Sequence, residues 1–521
     1  MKYMLKIKTI LLLLTTLAVL TSCIDNFADI NRNPYEVDKE ELGREGYNIG
    51  STLKGMQALV IPSQEHLYQF AECLAAQPFA GYTGATVDWK DKFETYNPPV
   101  HWQNAPFADV ITRTYPLYRD MLDKTEDPVA LALAKLLKVA IMHRVTDMYG
   151  PIPYSKVLSE SGEVSLKVPY DAQEEVYKQM FKELDEAIAV LADNAGIDTD
   201  AFRKFDDVYF GDIAKWVKYA NSLKLRMAMR MVYADEATAK TKAEEAVTAG
   251  VIIANAGNAQ LTVEENRTAM IFNDWMDHRT GADIISYMNG YKDPRREKMF
   301  VKGKFNNVED FYGIRIGIDV ASKDAMVNTY SKPLITDTDP FVWMTAAETT
   351  FLRAEGALRG WNMGGTAKEL YNQAIALSFE QRGAAGAEDY ATNTENKPVA
   401  YADPMGTYSF GSPRSDITVK WEEDEGTFER NLERIITQKW IAIYPLGVEA
   451  WSEFRRTGYP KLLPVVENKS GGVINSEKMI RRLWYPPVEY TENPEYIQQA
   501  IGLLGGPDNG ATRLWWDKRN N

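Results

Sequence analysis

Apolar side chains recur at helical spacing along much of this chain, and that repetition restricts its fold more than any other feature. Residues 131–148 are apolar nearly all round, as expected of a buried helix, and Gly150 followed by Pro151 ends it. Residues 176–191 carry one apolar face, and Asp171 ahead of them is expected to cap the helix. The chain is therefore predicted to be mainly α-helical.

Two further stretches predict helical hairpins. In the first, residues 213–231 form one apolar stripe and residues 236–249 a shorter one after a tight connection. In the second, glycines separate a stripe over residues 347–358 from one over residues 367–378. Such pairs stack in tetratricopeptide repeats because one pair cannot bury its own apolar face. We expect about three or four pairs as a scaffold inside a larger fold, and not a free solenoid.

Three long stretches lack helical periodicity and are rich in turn-forming and aromatic residues: 78–107, 255–345 and 383–427. Loops of this length in a compact domain usually have a function, and their aromatic content argues against disorder. The predicted fold class is therefore mainly α, with tetratricopeptide-like helical hairpins, long irregular loops and few short strands.

The N-terminus has the order of a secretory signal. Three lysines precede an apolar stretch at residues 10–20, which is shorter than the roughly 20 residues that a membrane-crossing helix needs. The run Leu-Thr-Ser-Cys that ends at Cys23 resembles the bacterial lipobox, in which the cysteine is acylated. We predict a signal peptide over residues 1–22 and lipid attachment at Cys23, which would tether the mature protein to a membrane. The alternative is an ordinary signal peptide that happens to end near a cysteine.

The charge of the chain argues against a nucleic-acid partner. The full chain carries a formal charge of −14, and loss of residues 1–22 removes three lysines and no acid, which leaves −17. A nucleic-acid-binding face needs the opposite sign. Only Cys73 remains once Cys23 carries lipid, so neither an intramolecular disulfide nor a multi-cysteine metal site can form. The sequence around Cys73 predicts a buried thiol on a helix.

Five segments stand in a recognisable order along the chain. They are DINRNPYEV at 29–37, VTDMYGPIPYS at 145–155, MTAAETTFLRAEGALRGW at 344–361, QKWIAIYPLGVEAWSEFRRTGYP at 438–460 and RLWYPPVEYTENPEY at 482–496. Together they resemble the SusD/RagB family of nutrient-binding outer membrane lipoproteins, and its diverged SusD-like branch more closely than the founding starch-binding members.

That resemblance implies a function and a partner. Residues 23–521 would form one SusD-like nutrient-binding domain, lipid-anchored and exposed on the surface of the cell outer membrane. Such lipoproteins capture oligosaccharides or similar nutrients and deliver them to a SusC-like TonB-dependent transporter. The resemblance therefore implies three partners for this chain: the transporter, the nutrient and, through the lipid anchor, the membrane.

Most residues of the last two family segments have a structural explanation. Trp440, Tyr444, Trp451 and Phe454 supply apolar faces next to a helix that Gly458 ends, so we expect them in the core. Trp484–Pro487 is expected to be extended because prolines follow, and it predicts a strap that closes the domain. These residues indicate the fold and are not predicted to contact ligand.

Two clusters of flat aromatic side chains beside polar groups are the candidates for carbohydrate binding, because sugar rings present apolar C–H faces and a rim of hydroxyls. The first cluster lies in a predicted loop and contains Trp89, Tyr96, Trp102 and Asn104. The second lies between helical sections and contains Trp275, Arg279, Tyr287 and Tyr291. The alternative for each aromatic residue is that it packs its loop onto the helices.

A third aromatic set is the candidate for the surface that faces the transporter, since aromatic loops serve protein interfaces equally well. It contains Tyr390, Tyr401, Tyr408 and Phe410. All four lie in the third irregular stretch, residues 383–427.

The sequence favours binding over catalysis. Four histidines are scattered along the chain, none in the His-Glu-x-x-His pattern of a zinc hydrolase: His66, His101, His143 and His278. There is no Gly-x-Ser-x-Gly nucleophile elbow and no phosphate-binding glycine-rich loop. We therefore predict no enzyme activity. A surface-anchored glycoside hydrolase is the alternative, because folding can bring two carboxylates together from distant positions, and a structural lid that touches no ligand is a third class.

No cofactor or metal is predicted either. Asp337 and Asp339 are a conceivable calcium site, but their spacing fits no calcium-loop pattern. The candidate binding sites therefore depend on aromatic and hydrogen-bonding side chains alone.

Overall fold

The structure of the protein is a computed structural model that describes residues 46–159, 161–196, 203–424 and 426–519. The predicted signal peptide and Cys23 lie outside these residues, so lipid attachment stays a prediction. Contacts divide the chain into two units, Met1–Asn48 and Ile49–Asn521, and nearly all of the described residues belong to the second. Among the described helices, none is long and apolar enough to cross a membrane.

The described part of the chain contains twelve helices of ten residues or more. They are α1 Tyr47–Val60, α2 Val110–Lys124, α3 Pro128–Tyr149, α4 Gln173–Asp193, α5 Ile213–Arg230, α6 Glu236–Ala249, α7 Ala282–Tyr291, α8 Ala346–Leu358, α9 Ala367–Arg382, α10 Phe428–Ala442, α11 Gly447–Thr457 and α12 Pro494–Leu504. Shorter α-helices lie at Glu65–Tyr68, Gln77–Phe79, Val100–Gln103, Ala269–Asn273, Arg296–Met299, Lys323–Thr329, Ala387–Ala391 and Pro487–Glu492. Gln69–Ala76 and Ala105–Asp109 are π-helical. The predicted mainly α class is confirmed.

Strands are few and short, as predicted. They are β1 Thr83–Ala85, β2 Ala259–Leu261, β3 His278–Thr280, β4 Phe300–Val301, β5 Gly303–Phe305, β6 Val308–Asp310, β7 Lys332–Pro333 and β8 Phe341–Met344. They pair in antiparallel two-stranded sheets, β1 with β3, β2 with β8, β4 with β7 and β5 with β6. Three of these sheets join segments that are distant in the sequence, and β5 with β6 is a hairpin.

Helix α3 forms where the all-round apolar stretch predicts it. Asp127 caps the helix by accepting a hydrogen bond from the Val129 amide at 3.0 Å, and Gly150, with a φ of 91°, ends it. Most side chains of α3 are buried because helices α2, α4 and α11 pack around it. The prediction of a buried helix is confirmed.

The predicted cap of the next helix is wrong. Helix α4 begins at Gln173, and Ala172 occupies the cap position. The Asp171 carboxylate instead accepts hydrogen bonds from the amide and the hydroxyl of Ser155, at 2.7 and 2.9 Å. Asp171 therefore ties the start of α4 to the turn after α3, and the local sequence does not show that partner.

Both predicted helical hairpins are present. Helix α5 packs on α6, α8 packs on α9, and contacts between α5 and α8 join the two pairs. Each of the four helices has an N-cap residue whose side chain accepts a hydrogen bond from a backbone amide of the first turn. In chain order these residues are Asp212, Asp235, Thr345 and Thr366. The tetratricopeptide-like scaffold is confirmed.

The stretch 255–345 is not wholly irregular, contrary to the prediction. It contains helix α7, in which every residue except Asn289 is buried. Because α7 is surrounded on all sides, it has no single apolar face for periodicity to reveal. Tyr287 and Tyr291 therefore belong to a buried helix and not to a loop.

Asp283, in the first turn of α7, is only 4% exposed, and its Oδ1 accepts a hydrogen bond from the amide of Leu463 at 2.6 Å. Burial raises the pKa of this carboxyl to about 7, although Arg315 and Arg414 act to lower it. The folded state thus holds the proton more tightly than the unfolded chain does. The corresponding stability is complete below about pH 4 and is lost as the pH rises through about 7.

We expect Asp283→Asn to remove this pH dependence, because the amide stays neutral and its oxygen can still accept the hydrogen bond from Leu463. Between about pH 5 and pH 9, the free energy of unfolding of the wild-type protein should fall by about 2–3 kcal/mol relative to that of the variant. Urea denaturation at each pH measures the difference. A difference that is constant with pH would contradict a buried, protonated Asp283.

A layer of charged side chains lies inside the helical scaffold. Arg230 of α5 is 0% exposed and donates hydrogen bonds to Asp147 at 3.1 Å, to Glu453 at 2.5 Å and to Glu449. Burial acts to raise the pKa of Glu449, but Arg230 and Lys439 outweigh it and hold that pKa well below its usual range. Arg230 therefore neutralises carboxylates from α3 and α11 at once.

Further ion pairs extend this layer to the other helices of the scaffold. Arg456 of α11 lies 2.6 Å from Glu355 of α8, and Lys439 of α10 lies 2.9 Å from Glu449 of α11. The charged layer therefore joins α3, α5, α8, α10 and α11, which makes their relative positions depend on paired charges as well as on apolar packing.

The C-terminal strap is extended as predicted up to Pro486, but Pro487 begins the short helix Pro487–Glu492. In the extended segment ahead of Trp484, Leu483 donates its amide to the carbonyl of Met148 at 2.9 Å, and Arg482 Nε donates to the carbonyl of Tyr149 at 3.0 Å. The strap therefore runs against the C-terminal end of α3. The predicted core aromatics are all buried, at Trp440, Tyr444, Trp451 and Phe454, and so is the thiol of Cys73.

Gly447, the first residue of α11, allows a close approach between two backbones. A Cβ on Gly447 would lie 2.6 Å from the Gln77 amide nitrogen. Because that neighbour is backbone, we expect Gly447→Ala to lower the free energy of unfolding by about 1–3 kcal/mol. Gly502→Ala in α12 is the control, since nothing lies within 4 Å of its added Cβ, and it should stabilise the helix by about 0.5–1 kcal/mol. Chemical denaturation compares the two, and equal effects would contradict the close contact.

Candidate functional site

A short sheet brings the two predicted carbohydrate-binding clusters together. Strands β1 and β3 pair, and just beyond them the Thr86 amide donates to the Asp277 carbonyl at 2.9 Å. The loop that carries Trp89 therefore lies beside the loop that carries Trp275, although the two are far apart in the sequence. The structure joins what the sequence presents as two separate clusters.

In the first cluster, Trp102 supports Trp89. Their ring centroids lie 5.2 Å apart with the planes at 87°, the edge-to-face geometry that aromatic pairs prefer. Trp102 is buried, whereas Trp89 is half-buried and also lies 6.0 Å from the ring of His278. Asn104 is half-buried, and its Oδ1 has no hydrogen-bond partner among the described residues. Trp102 therefore packs against Trp89, and part of the Trp89 ring stays exposed to solvent.

Trp275 of the second cluster stacks on His66, with ring centroids 5.2 Å apart and planes at 23°. His66 is exposed and Trp275 is half-buried. One helical turn after His66, the half-buried Phe70 lies 6.0 Å from the ring of Trp102. The helical segment that carries His66 and Phe70 therefore connects the two clusters.

We call this row of rings the aromatic ridge. It consists of Trp275, His66, Phe70, Trp102, Trp89 and, next to Trp102 in the chain, His101. All of them except Trp102 are exposed or half-buried. A row of flat rings that reaches solvent can hold successive sugar rings of one chain.

Polar groups border the ridge near Trp275. The Asp277 carboxylate accepts a hydrogen bond from Gln69 Nε2 at 3.0 Å and one from Lys323 Nζ at 2.8 Å. The side chain of Lys323 is 41% exposed, so its ammonium has donors left for solvent or for a ligand hydroxyl. The ridge thus has a fixed hydrogen-bonding edge beside its apolar faces.

Arg279 lies behind the ridge and not on it. Its side chain is 3% exposed, and burial lowers its pKa to about 10. The guanidinium donates hydrogen bonds to three backbone carbonyls, those of Val327, Phe272 and His278, at 3.1, 3.3 and 2.9 Å. In the structure Arg279 joins β3 to the short helices Ala269–Asn273 and Lys323–Thr329, and its contact with a ligand stays a prediction.

Three of the predicted tyrosines lie inside the protein. Tyr96 is 4% exposed and has a left-handed φ of 63°. The hydroxyl of Tyr287 donates to the carbonyl of Lys461 at 3.0 Å, and that of Tyr291 donates to the carbonyl of Ile417 at 3.1 Å. These contacts fasten α7 to two loops. As ligand contacts the three tyrosines also stay predictions.

The third aromatic set divides in the same way. Tyr390 and Tyr401 are buried, and the Tyr401 hydroxyl donates to the carbonyl of Gly313 at 2.7 Å. Tyr408 and Phe410 are half-buried. Of the four, only Tyr408 and Phe410 offer part of a ring to a partner.

The acidic pair considered for calcium lies in the turn before β8. Asp339 Oδ2 accepts a hydrogen bond from the Thr336 amide at 2.8 Å, and the Asp337 carbonyl accepts one from the Asn266 amide at 2.6 Å. Within the described ranges, no group of three or more His, Cys, Asp or Glu could hold a metal ion. The structure explains both aspartates as parts of a turn.

Sequence reasoning missed three members of the ridge, His101 and the pair His66 and Phe70. The spacing of four residues between His66 and Phe70 places this pair on one face of a helix, which is the signal that was available. An exposed aromatic pair at this spacing has the same pattern as a buried stripe, so the sequence alone does not distinguish the two. Only the contacts with Trp275 and Trp102 show that the pair belongs to a surface.

Comparison with known proteins identifies the architecture. The model of the SusD-like family, described as Susd and RagB outer membrane lipoprotein, matches residues 29–517. A SusD homologue from Bacteroides thetaiotaomicron is 55% identical, with 91% of this chain and 99% of that chain covered and a TM-score of 0.87. A SusD homologue from Bacteroides uniformis is 42% identical, with 91% and 100% covered and a TM-score of 0.86. A chitin-binding SusD homologue from Flavobacterium johnsoniae is 39% identical, with 91% and 99% covered and a TM-score of 0.84. No curated protein matches the chain.

Proposed function

The chain belongs to the SusD-like family of outer membrane lipoproteins, and we propose that it binds oligosaccharides at the cell surface and delivers them to a SusC-like TonB-dependent transporter. In this proposal residues 1–22 are a signal peptide, Cys23 carries the lipid, and residues 23–521 are the nutrient-binding domain. Acyl chains on Cys23 would supply the membrane attachment.

The aromatic ridge is the observation that carries this proposal. Binding of a sugar chain requires flat apolar faces in a row, with hydrogen-bonding groups alongside. Trp89 and Trp275 provide faces toward its two ends, and Asp277 with Lys323 provides the polar edge. Aromatic anchors supported from beneath lose little conformational freedom on binding, which favours affinity.

The chitin-binding relative from Flavobacterium johnsoniae suggests the first ligand to test. Chito-oligosaccharides such as chitohexaose serve as the initial probe in isothermal titration calorimetry, followed by a panel of other oligosaccharides and peptides. We expect saturable binding to at least one oligosaccharide. A flat response across the whole panel would favour a purely structural lid over a binding protein.

Replacing Trp275 by Ala tests whether the ridge is the site. We expect about tenfold weaker binding, because truncation of a well-placed aromatic anchor costs roughly 1–2 kcal/mol. Trp515→Ala is the matched control, since Trp515 is also half-buried but packs on Tyr177, which is not part of the ridge. Equal loss of affinity in both variants would contradict the assignment.

A surface glycoside hydrolase is the alternative function, and product formation separates it from binding. Incubation of the purified protein with the bound oligosaccharide should leave the sugar intact over many hours. Steady release of shorter products would support the hydrolase. In that case Asp277, the carboxylate beside Trp275, would be the first residue to replace.

Tyr408 and Phe410 are the proposed contacts with the transporter. Co-purification of the membrane complex from cells that carry Phe410→Ala, compared with the wild-type chain, measures docking. We expect less transporter to be recovered with the variant while oligosaccharide binding is unchanged. Full recovery of the complex would remove these residues from the proposed interface.

A further inference from the structure

A cavity of about 500 Å³ lies apart from the aromatic ridge. Tyr68 and Glu72 line it, on the same helical segment that carries His66 and Phe70 toward the ridge. Residues two apart in a helix point in roughly opposite directions, so the segment separates the two sites. We call this space the inner cavity. Its volume lies in the range of small-molecule binding sites.

Apolar side chains outnumber polar ones in the walls of the inner cavity, but Gln260, Asn266, Thr268 and Gln381 also line it. Met299, Phe341 and Leu446 are among the buried apolar side chains. Leu334, which is 51% exposed, lies where the cavity opens to solvent. Such walls can hold a molecule that has an apolar body and a small number of polar groups.

Arg382, at the C-terminal end of α9, brings a charge to this space. Its Nη2 donates to the carbonyl of Tyr444, while its Nε is buried and has no hydrogen-bond partner among the described residues. Burial lowers the pKa of the guanidinium. Arg295, by contrast, is buried and neutralised by Asp293 at 2.6 Å. The partner of Arg382 is therefore an uncharged backbone carbonyl, whereas the partner of Arg295 is a carboxylate that neutralises its charge.

Glu72 provides an acceptor in the same cavity. It is 1% exposed, its Oε1 accepts a hydrogen bond from Arg144, and its Oε2 has no partner among the described residues. The ion pair with Arg144 balances its charge, so what is left over is a hydrogen-bond acceptor. A buried polar atom without a partner is costly unless a ligand or water satisfies it.

We propose that the inner cavity is a second binding site, for a small molecule with one carboxylate on a mainly apolar body. The carboxylate binds Arg382, and a hydroxyl or N–H group of the ligand donates to Glu72. The lining also contains the carboxylate of Asp339 and the ammonium of Lys298, whose charges offset each other, so Arg382 supplies the net positive charge of the cavity. A monoanion therefore fits better than a phosphate monoester.

The test uses 4-hydroxyphenylacetate, its neutral amide and phenyl phosphate as probes in calorimetry with the full mature chain. We expect the acid to bind at least about tenfold more tightly than the other two, because only the acid carries the single negative charge that matches the guanidinium of Arg382. No binding of the acid, or equal binding of acid and amide, overturns the proposal.

Two variants locate the site. Arg382→Gln should weaken binding of the acid by about tenfold or more. Leu334→Trp narrows the opening of the cavity from an exposed position and should weaken binding of the acid as well. This second variant tests the proposal even if Arg382→Gln does not fold. Trp275→Ala should leave binding of the acid unchanged, and both cavity variants should leave chitohexaose binding unchanged. These controls distinguish failure of the inner-cavity proposal from failure of the proposal that oligosaccharides bind the aromatic ridge. Unchanged affinity for the acid in both cavity variants overturns the assignment.

Discussion

Replacing Arg230 by Met is expected to lower the free energy of unfolding by about 3–5 kcal/mol. Arg230 is completely buried and donates hydrogen bonds to Asp147, Glu449 and Glu453. Methionine fills a similar volume but supplies neither charge nor donor. The variant therefore leaves these three buried carboxylates with less positive charge and fewer hydrogen-bond donors to stabilise them.

The size of this effect comes from the groups left behind and not from the strength of the ion pairs themselves. A buried pair contributes little net stability, because desolvation of the charges nearly cancels their attraction. Removal of one partner keeps the desolvation cost of the others and loses the attraction. Lys439 lies 2.9 Å from Glu449 and 3.4 Å from Glu453 in the wild-type structure, and we expect it to keep these contacts in the variant, which limits the loss.

Denaturation in urea measures this prediction, with Arg119→Met as the matched control. Arg119 also forms an ion pair, with Asp123 at 3.0 Å, but its side chain is 42% exposed. Exposed pairs contribute little to stability, so the control should be close to wild type. Similar midpoints for Arg230→Met and Arg119→Met would show that the charged layer has no special role.

The double variant Trp89→Ala/Trp275→Ala should weaken oligosaccharide binding by about 100-fold, the largest effect expected on function. The two rings belong to different loops and contact different partners, Trp102 and His66. Their contributions should therefore add, and two losses of about tenfold combine to about 100-fold. A sugar chain that spans the ridge would lose a contact in each of two loops.

Calorimetry on the wild type, the two single variants and the double variant forms a complete cycle for this prediction. A double variant no weaker than either single would mean that the ligand touches only one end of the ridge. Thermal melting of the same four proteins is the control for folding. If loss of the cooperative transition accompanies the loss of binding, the tryptophans are core residues and the ridge is not the site.

The helical scaffold could be predicted from the sequence because its information is local. In α5 and α8 the apolar spacing, the capping side chain and the terminating residue all lie within one segment. Asp171 shows the limit of this reasoning, since its side chain bonds to Ser155 and not to the helix after it. Helix α7 shows another limit, because complete burial removes the polar face on which periodicity depends.

The candidate site was predictable only in part, for a related reason. Trp89 and Trp275 are recognisable as aromatic residues beside polar ones, but their proximity depends on the pairing of β1 with β3. Each of these strands has three residues, too few to show an alternating pattern. Tyr287 and Tyr291 have the same local composition as the ridge residues, and only the packing of α7 places them inside.

The buried thiol of Cys73 has a practical consequence for measurements in solution. Its side chain is 0% exposed, and burial raises its pKa well above the ordinary value, so the reactive thiolate is scarce. Apart from Cys23, the chain has no other cysteine. A cysteine introduced at an exposed position such as Thr407, next to Tyr408, would therefore react selectively with a maleimide dye, and fluorescence from that position would follow the encounter with a transporter in real time.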